Sequence, residues 1–204
     1  MANHLHEGDL PDGLDLGSVV AVDSEAMGLN LNRDDLCVVQ LSAGDGDAHV
    51  VRLRRPDYDC PNLKRLLSDP GVLKIFHYGR FDIAMFAAYL GVTTAPVYCT
   101  KIASRLVRTY TDRHGLKDLT RDLLGIDISK TQQCSDWGAA KLTAEQVSYA
   151  ASDVLNLHAL KAKLDLMLER EGRRELAQAC FDFLPTRAHL DLAGWDDVDI
   201  FAHS

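Results

Sequence analysis

Apolar positions along the chain first group into short uninterrupted runs and later recur at helical spacing. Val19 to Glu25, VVAVDSE, places four apolar residues directly before Asp23 and Glu25, the pattern of a buried strand ending at polar residues. AMGLNLNRDD then has the Gly, Asn and Asp content of a turn. Leu36 to Ser42 (LCVVQLS) and Ala48 to Leu53 (AHVVRL) read as two further strands joined by GDGD, so the chain is expected to open with an antiparallel meander. Pro56 to Pro61 reads as a loop, Asn62 to Leu67 as a short helix, and Val72 to His77 (VLKIFH) as another buried strand.

Helical signals dominate from there. A helix is expected from Arg80 to Leu90, with Asp82 near the positive end of its dipole and Gly91 just past its end. Val97 to Thr100 reads as a short strand and Lys101 to Thr109 as a helix whose Lys101, Arg105 and Arg108 would form one basic face. After the loop Tyr110 to Gly115, Leu116 to Leu124 is helical and closed by Gly125. Ile126 to Gly138 is polar and irregular. Thr143 with Gln146 forms a capping box that starts a long helix through Tyr149 and Asp153 to about Arg170. A short helix over Arg174 to Phe181 precedes a tail, LPTRAHLDLAGWDDVDIFAHS, too apolar for a disordered acidic segment and expected to pack on the domain or on a neighbouring subunit. Strands first, then strands alternating with helices, define an α/β class with a mixed sheet.

Composition narrows the function classes. A chain of 204 residues is expected to form one domain, residues 1–204, with an N-terminal extension over about 1–15 and a C-terminal tail over about 182–204. No basic start followed by an apolar segment and no apolar run of transmembrane length occurs, so a cytoplasmic location away from membranes is expected. Cys37, Cys60, Cys99, Cys134 and Cys180 are odd in number and scattered, which speaks for reduced, structural thiols and against a zinc knuckle. A net charge of −8 argues against a broad basic surface for long nucleic acid, while leaving room for a nuclease with a small substrate.

The acids fall at telling places. In a strand, residues two apart share a face, so Asp23 and Glu25 project together, and two like charges beside a core demand either a cation or solvent. Both readings, a metal-binding pair and a solvated strand end, fit these residues alone. Asp82 sits in a first helical turn, and Tyr149 precedes Asp153 by four residues, which puts both on one helical face.

In order and separation, VDSE at 22–25, FHYGRFD at 76–82 and YAASD at 149–153 resemble the three motifs of the DEDD superfamily of 3′–5′ exonucleases. The tyrosine four residues before the last aspartate marks the DEDDy, ribonuclease D-like branch. KIFHYGRFDIAMFAAYLG, TKIASRLVRTYTDRHGLKDL and SDWGAAKLTAEQVSYAASDVLNLHALK extend the likeness over most of the chain, and GDGDAHVV with the ending GWDDVDIFAHS is most similar to the single-domain nano-RNase C group, without the helical HRDC domains of full-length ribonuclease D. The resemblance implies a ribonuclease H-like fold with a mixed five- to six-stranded sheet flanked by helices.

It also implies chemistry. Two divalent ions, Mg²⁺ or Mn²⁺, would assist phosphodiester hydrolysis, and hard carboxylate oxygens suit both. By analogy Asp23 would touch both metals, Glu25 and Asp153 the nucleophile-side metal, and Asp82 the leaving-group side, while Tyr149 would orient water. Met27 and Leu29, in the turn after Glu25, resemble base contacts, Leu29 as a wedge between terminal bases, although a leucine is also an ordinary core residue. His77 and Tyr78 are close enough in sequence to Asp82 to contact a base or sugar, or His77 is a satisfied structural histidine. Arg108, Arg113, His114 and Lys117 fit either a 5′-phosphate site or a solvated basic face. Lys130, Gln133, Ser135, Asp136 and Trp137 are candidate site-lining residues, with Trp137 equally suited to packing.

The expected substrate is short single-stranded RNA, especially dinucleotides, released as nucleoside 5′-monophosphates. The alternatives are a broader exonuclease on longer RNA or DNA, and a catalytically silent binding protein, the last disfavoured because all four acids and Tyr149 are present. The resemblance further implies a homo-oligomer, a ring of eight.

Overall fold

The computed structural model describes residues 2–128 and 135–203. Lys130, Gln133 and Cys134 lie outside the described residues. Among those described, six strands form one mixed sheet in the order β1-β4-β3-β2-β5-β6. Their ranges are β1 Asn3–Glu7, β2 Val19–Ala26, β3 Leu36–Ser42, β4 Ala48–Arg52, β5 Leu73–Phe76 and β6 Val97–Cys99. β2, β3 and β4 form the expected antiparallel meander, and β5 and β6 continue parallel to β2. This is the ribonuclease H-like α/β architecture implied by the motifs.

β2 lies inside the sheet, flanked by antiparallel β3 and parallel β5. Its Val20, Ala21 and Val22 are fully buried, as is every residue of β3 from Leu36 to Ser42. Helices Pro61–Ser68 (α1) and Arg80–Met85 (α2) follow, and α2 runs on as a π-helical turn, Phe86–Leu90, closed by Gly91 at φ 68°. Thr100–Val107 (α3) leads directly off β6, and Leu116–Leu119 (α4) likewise ends in a π turn, Thr120–Leu124. No helix among the described residues is long and apolar enough to cross a membrane.

Four expectations change. The first residues form a strand: β1 pairs in parallel with β4 along the sheet edge. Its sequence, NHLHE, is polar on the exposed edge and lacks the apolar alternation by which strands are recognised. The helix expected from Thr143 to about Arg170 is two, Ala144–Leu155 (α5) and Leu157–Arg170 (α6), interrupted at Asn156. Asp153 therefore lies in the last turn of α5 rather than midway along a single helix.

The helix read as ending at Phe181 continues to Leu190 as α7, Arg174–Leu190, across Pro185. Ala177, Phe181, Leu184 and Ala188 make a continuous buried stripe. That burial offsets the backbone hydrogen bond that a proline removes. Finally, α3 ends at Val107, and Arg108 is a non-helical cap (φ −104°, ψ 55°), so the basic face does not extend to it.

The start of the tail is held against α2. Arg80 donates to Asp191 through Nε (2.5 Å) and Nη2 (2.7 Å), and Arg187 Nη2 lies 3.1 Å from the same buried carboxylate. Trp195, Val198, Ile200 and Phe201 beyond it are exposed.

The capping box is present in full, with Thr143 Oγ1 accepting from Gln146 N–H (3.2 Å) and Gln146 Oε1 accepting from Thr143 N–H (2.9 Å). Thr143→Ala is expected to cost about 1 kcal/mol, a fall of about 2–4 °C in Tm for a chain of this size. Thermal unfolding followed by circular dichroism checks this, and an unchanged Tm would mean that packing alone fixes the start of α5.

Candidate active site

The site forms where β2 ends. Asp23 and Glu25 share a face of the strand, opposite Gln40 and Val38 of β3. The register between β2 and β3 shifts after Glu25, which releases the chain into the turn 27–35. A side chain at Gly28 would collide with the Asp34 carboxylate, so the turn needs glycine there. From the other side α5 brings Tyr149 and Asp153 against β2, and α2 inserts Asp82, only 4% exposed, from beneath.

One oxygen each from Asp23, Glu25 and Asp153 lie within 4.8 Å of one another. Burial, then the charges of Asp82, Asp153 and Glu25, push the Asp23 carboxyl well above its ordinary range. Glu25 rises to about 9, through burial first and then Asp153 and Asp82. Asp82 rises to about 7 by burial, offset by hydrogen bonds from Ser24 Oγ (2.6 Å) and from backbone N–H groups. The charges acting most strongly on Asp23 and Glu25 are thus other carboxylates, a cluster that stores repulsion. Hard, converging oxygens of this kind fit a divalent cation such as Mg²⁺ or Mn²⁺. Tyr149 is held protonated, its pKa raised by burial and then by Asp153, Glu25 and Asp23.

A cavity of about 650 Å³ opens over these groups, lined by Asp23, Glu25, Tyr149 and Asp153. Six of the residues singled out in the sequence also line it: Met27, Leu29, His77, Tyr78, Ser135 and Trp137. Leu29 is 85% exposed, which removes the core reading for that residue. His77 Nδ1 is hydrogen-bonded to Thr100 Oγ1 (2.9 Å), so it is both satisfied and at the cavity wall. Tyr78 takes a left-handed φ of 67°, uncommon for a bulky residue, and Lys101 Nζ lies 4.1 Å from its ring centre. Trp137 is 3% exposed with its ring centre 6.0 Å from that of Tyr149, so it serves as packing anchor and wall together.

Arg108, Arg113, His114 and Lys117 do not line this cavity. Arg108 is 2% exposed, donating to Asp122 Oδ2 (2.6 Å) and to the Arg113 carbonyl (2.9 Å), a buried loop clamp rather than part of a basic face. Arg113 is paired with Asp118 at 3.4 Å, and His114 Nδ1 is 2.8 Å from Ser104 Oγ. Asp136 closes a local turn, its Oδ1 accepting from Gly138 N–H (3.0 Å).

Several functional neighbours escaped the sequence reading. Gln40, fully buried, donates Nε2–H to Asp23 Oδ2 at 2.6 Å and fixes that carboxylate. Its signal was present: one amide inside the apolar run LCVVQLS needs a buried partner. Gln146 Nε2 donates to the Asp136 carbonyl (3.0 Å) and Ser135 Oγ (3.3 Å), tying residues 135–136 to the start of α5. Arg55 bridges the walls, donating to the Gly138 carbonyl (2.8 Å) and Asp35 Oδ2 (3.2 Å). Phe81, Lys101, Leu116 and Ile128 also line the cavity.

A 3′–5′ exonuclease family model matches residues 9–169. Ribonuclease D of Gluconacetobacter diazotrophicus is 37% identical over 154 residues, covering 76% of this chain and 39% of that protein. The chain thus spans well under half the length of the ribonuclease D proteins it matches. Among solved structures, Brucella melitensis NrnC with bound Mg²⁺ is similar over 100% of both chains, with TM-score 0.96 and 53% identity. NrnC bound to pGG gives TM-score 0.95 and 54% identity over 98% of each chain. Escherichia coli RNase D aligns at TM-score 0.72 and 25% identity, over 84% of this chain and 45% of that one.

Two outcomes follow from this geometry. A carboxyl whose pKa is higher folded than unfolded binds more protons when folded, so metal-free stability falls as pH rises from about 4 through the folded values, about 7 for Asp82 and about 9 for Glu25. Asp23→Asn should therefore raise Tm in EDTA at pH 8, with the gain shrinking towards pH 5; a loss at pH 8 would contradict the stored repulsion. Gln40→Leu should leave the fold intact and weaken Mg²⁺ binding by about 10–100-fold in calorimetry, as for other residues that orient a ligand.

Proposed function

The chain belongs to the ribonuclease D-like family of DEDD 3′–5′ exonucleases, and we propose that it is a metal-dependent 3′–5′ exoribonuclease acting on short oligoribonucleotides, dinucleotides above all, with release of nucleoside 5′-monophosphates. The observation that carries this reading is the convergence of Asp23, Glu25 and Asp153 oxygens within 4.8 Å at the floor of a cavity that Tyr149 also lines. Its volume, about 650 Å³, suits a small ligand enclosed at one mouth. The preference for short substrates is supported by full-length similarity to NrnC, a relative solved with pGG bound.

In this proposal Asp23, Glu25 and Asp153 hold two divalent ions, Mg²⁺ or Mn²⁺, with Asp82 contributing through water. Bound there, the ions supply an activated water and relief of charge on the attacking and leaving oxygens. The remaining work falls to the chain's own side chains. Tyr149, whose phenol is held in the protonated form by burial first and then by the neighbouring carboxylates, would orient the attacking water by hydrogen bonding. Leu29, projecting into solvent at the cavity mouth, is placed to wedge between bases, with Met27 beside it and the faces of Tyr78 and His77 across the opening. Lys101 is the basic side chain at the cavity wall among the described residues, suited to a substrate phosphate.

A second reading, exonuclease action on longer RNA or DNA, is favoured by one observation. A groove of about 620 Å³ shares Leu29, Tyr78 and Phe81 with the acid-floored cavity and so continues it in the direction a longer strand would take; its Arg33 and Arg80 are paired with Asp34 and Asp191, and Asp196 and Asp197 line it as well. We further propose a cytoplasmic homo-oligomer, a ring of eight, in which exposed Trp195, Val198, Ile200 and Phe201 are covered by neighbouring subunits.

A time course on a 5′-labelled diribonucleotide and a matched seven-mer, with Mg²⁺, Mn²⁺ or EDTA, tests the assignment. Rapid, metal-dependent cleavage of the dinucleotide is expected, with slow attack on the seven-mer and loss of both in Asp153→Ala. Laddering of the seven-mer while the dinucleotide persists would select the longer-substrate reading. Hydrolysis that survives Asp153→Ala or EDTA would overturn the site itself.

A further inference from the structure

A second concentration of ligating side chains lies on the outer sheet edge. β1 pairs with β4 so that His4 is opposite His49 and His6 opposite Val51. Residues two apart share a face, so His4, His6 and His49 stand together, with Asp47 two positions before His49 on the same side. Their rings are nearly parallel: His4 to His49 4.9 Å between centres at 21°, His6 to His49 5.2 Å at 8°, His4 to His6 6.5 Å at 17°.

We propose that His4, His6, His49 and Asp47 form a second cation site, distinct from the carboxylate cluster and suited to Zn²⁺ rather than Mg²⁺. Imidazole nitrogen is a ligand of zinc and of late first-row metals, and three imidazoles with one carboxylate complete a tetrahedron. The central pair is already close in space, joined by a hydrogen bond that an ion would replace. His6 Nε2 and His49 Nδ1 face each other at 2.9 Å in almost one plane, sharing a single proton. Two zinc–nitrogen bonds at a tetrahedral angle hold their nitrogens about 3.3 Å apart. The pair therefore opens by a few tenths of an ångström and each ring turns by roughly 35° so that its lone pair leaves the N–N line and meets the ion, once the shared proton moves to a far ring nitrogen.

His4 Nε2 lies 3.5 Å from Asp47 Oδ2, so the other two ligands are already neighbours, and exposed His4 turns from its stacked position to meet the pair. Burial and the neighbouring rings hold His6 and His49 below the ordinary histidine range, which leaves their lone pairs free of protons at neutral pH. A bound ion would clip β1, which has β4 as its sole strand neighbour among the described residues, to the rest of the sheet.

The test uses the full chain carrying Asp23→Asn and Asp153→Asn, with excess Mg²⁺, so that the carboxylate site does not compete. Co²⁺ followed by visible absorption and Zn²⁺ followed by calorimetry are expected to show one equivalent per chain. Co²⁺ should give the intense band of a tetrahedral complex, Zn²⁺ should displace it, and Zn²⁺ should raise Tm. His49→Ala and His6→Ala should each weaken binding by about tenfold or more, and His203→Ala should not. If a half-buried substitution prevents folding, exposed His4→Ala serves in its place. Absence of the tetrahedral band, or affinity unchanged across the histidine variants, would overturn the proposal.

Discussion

Four carboxylates placed around one partly buried mouth repel one another, and the surrounding structure is arranged to hold them there. Asp23 and Glu25 cannot turn away from each other because both are paired to β3, and the strand leading to them is held by β5 as well over Val19 to Ala21. Asp82 is fixed by Ser24, and Asp23 by Gln40, each through a bond of 2.6 Å. Charged oxygens are thereby given directions as well as positions. The raised proton affinity of Glu25 records burial first and then that crowding, and the raised affinity of Asp82 records burial.

The side chains above the acids are held by a different means. Gln146 belongs to the capping box of α5 and also grips residues 135 and 136, so one amide sets the start of the helix and the adjacent cavity wall. Tyr149 and Asp153 follow one and two turns later on that helix, with Trp137 packed against Tyr149. Arg55 joins the turn after β2 to Gly138 on the opposite side. The loops beside the opening are thus tied to one another and to α5 by hydrogen bonds, above a floor made of strand and helix.

Much of this was legible in the sequence where local chemistry and tertiary need coincide. The run VVAVDSE announces both the strand and the end at which its acids emerge, and Thr143 with Gln146 announces the start of α5. Legibility failed where a long-range partner decides the outcome. NHLHE is a strand because β4 offers an edge, and a single leucine among four polar residues carries no periodicity to reveal that. Pro185 reads as a stop, yet the apolar stripe on either side of it keeps α7 intact. Arg108 has helical spacing from Lys101 and Arg105, but its guanidinium turns inward to Asp122, fourteen residues further on. Met27, Leu29, His77, Tyr78, Ser135 and Trp137 gather at one cavity, whereas the basic residues after α3 do not, because spacing along a helix says nothing about where a loop folds back.

The position of β2 within the sheet has a dynamic corollary. Backbone amides at the interior of a sheet exchange with solvent only through the largest openings of a domain, whereas edges and loops open by local fluctuation. Asp23 therefore rides on a segment whose exchange should follow global unfolding, while Tyr78 and Leu29 stand on exposed connections outside the sheet. The chain couples a floor that is slow to open with a rim free to move on faster timescales, a division that lets small molecules enter and leave without disturbing the charges beneath.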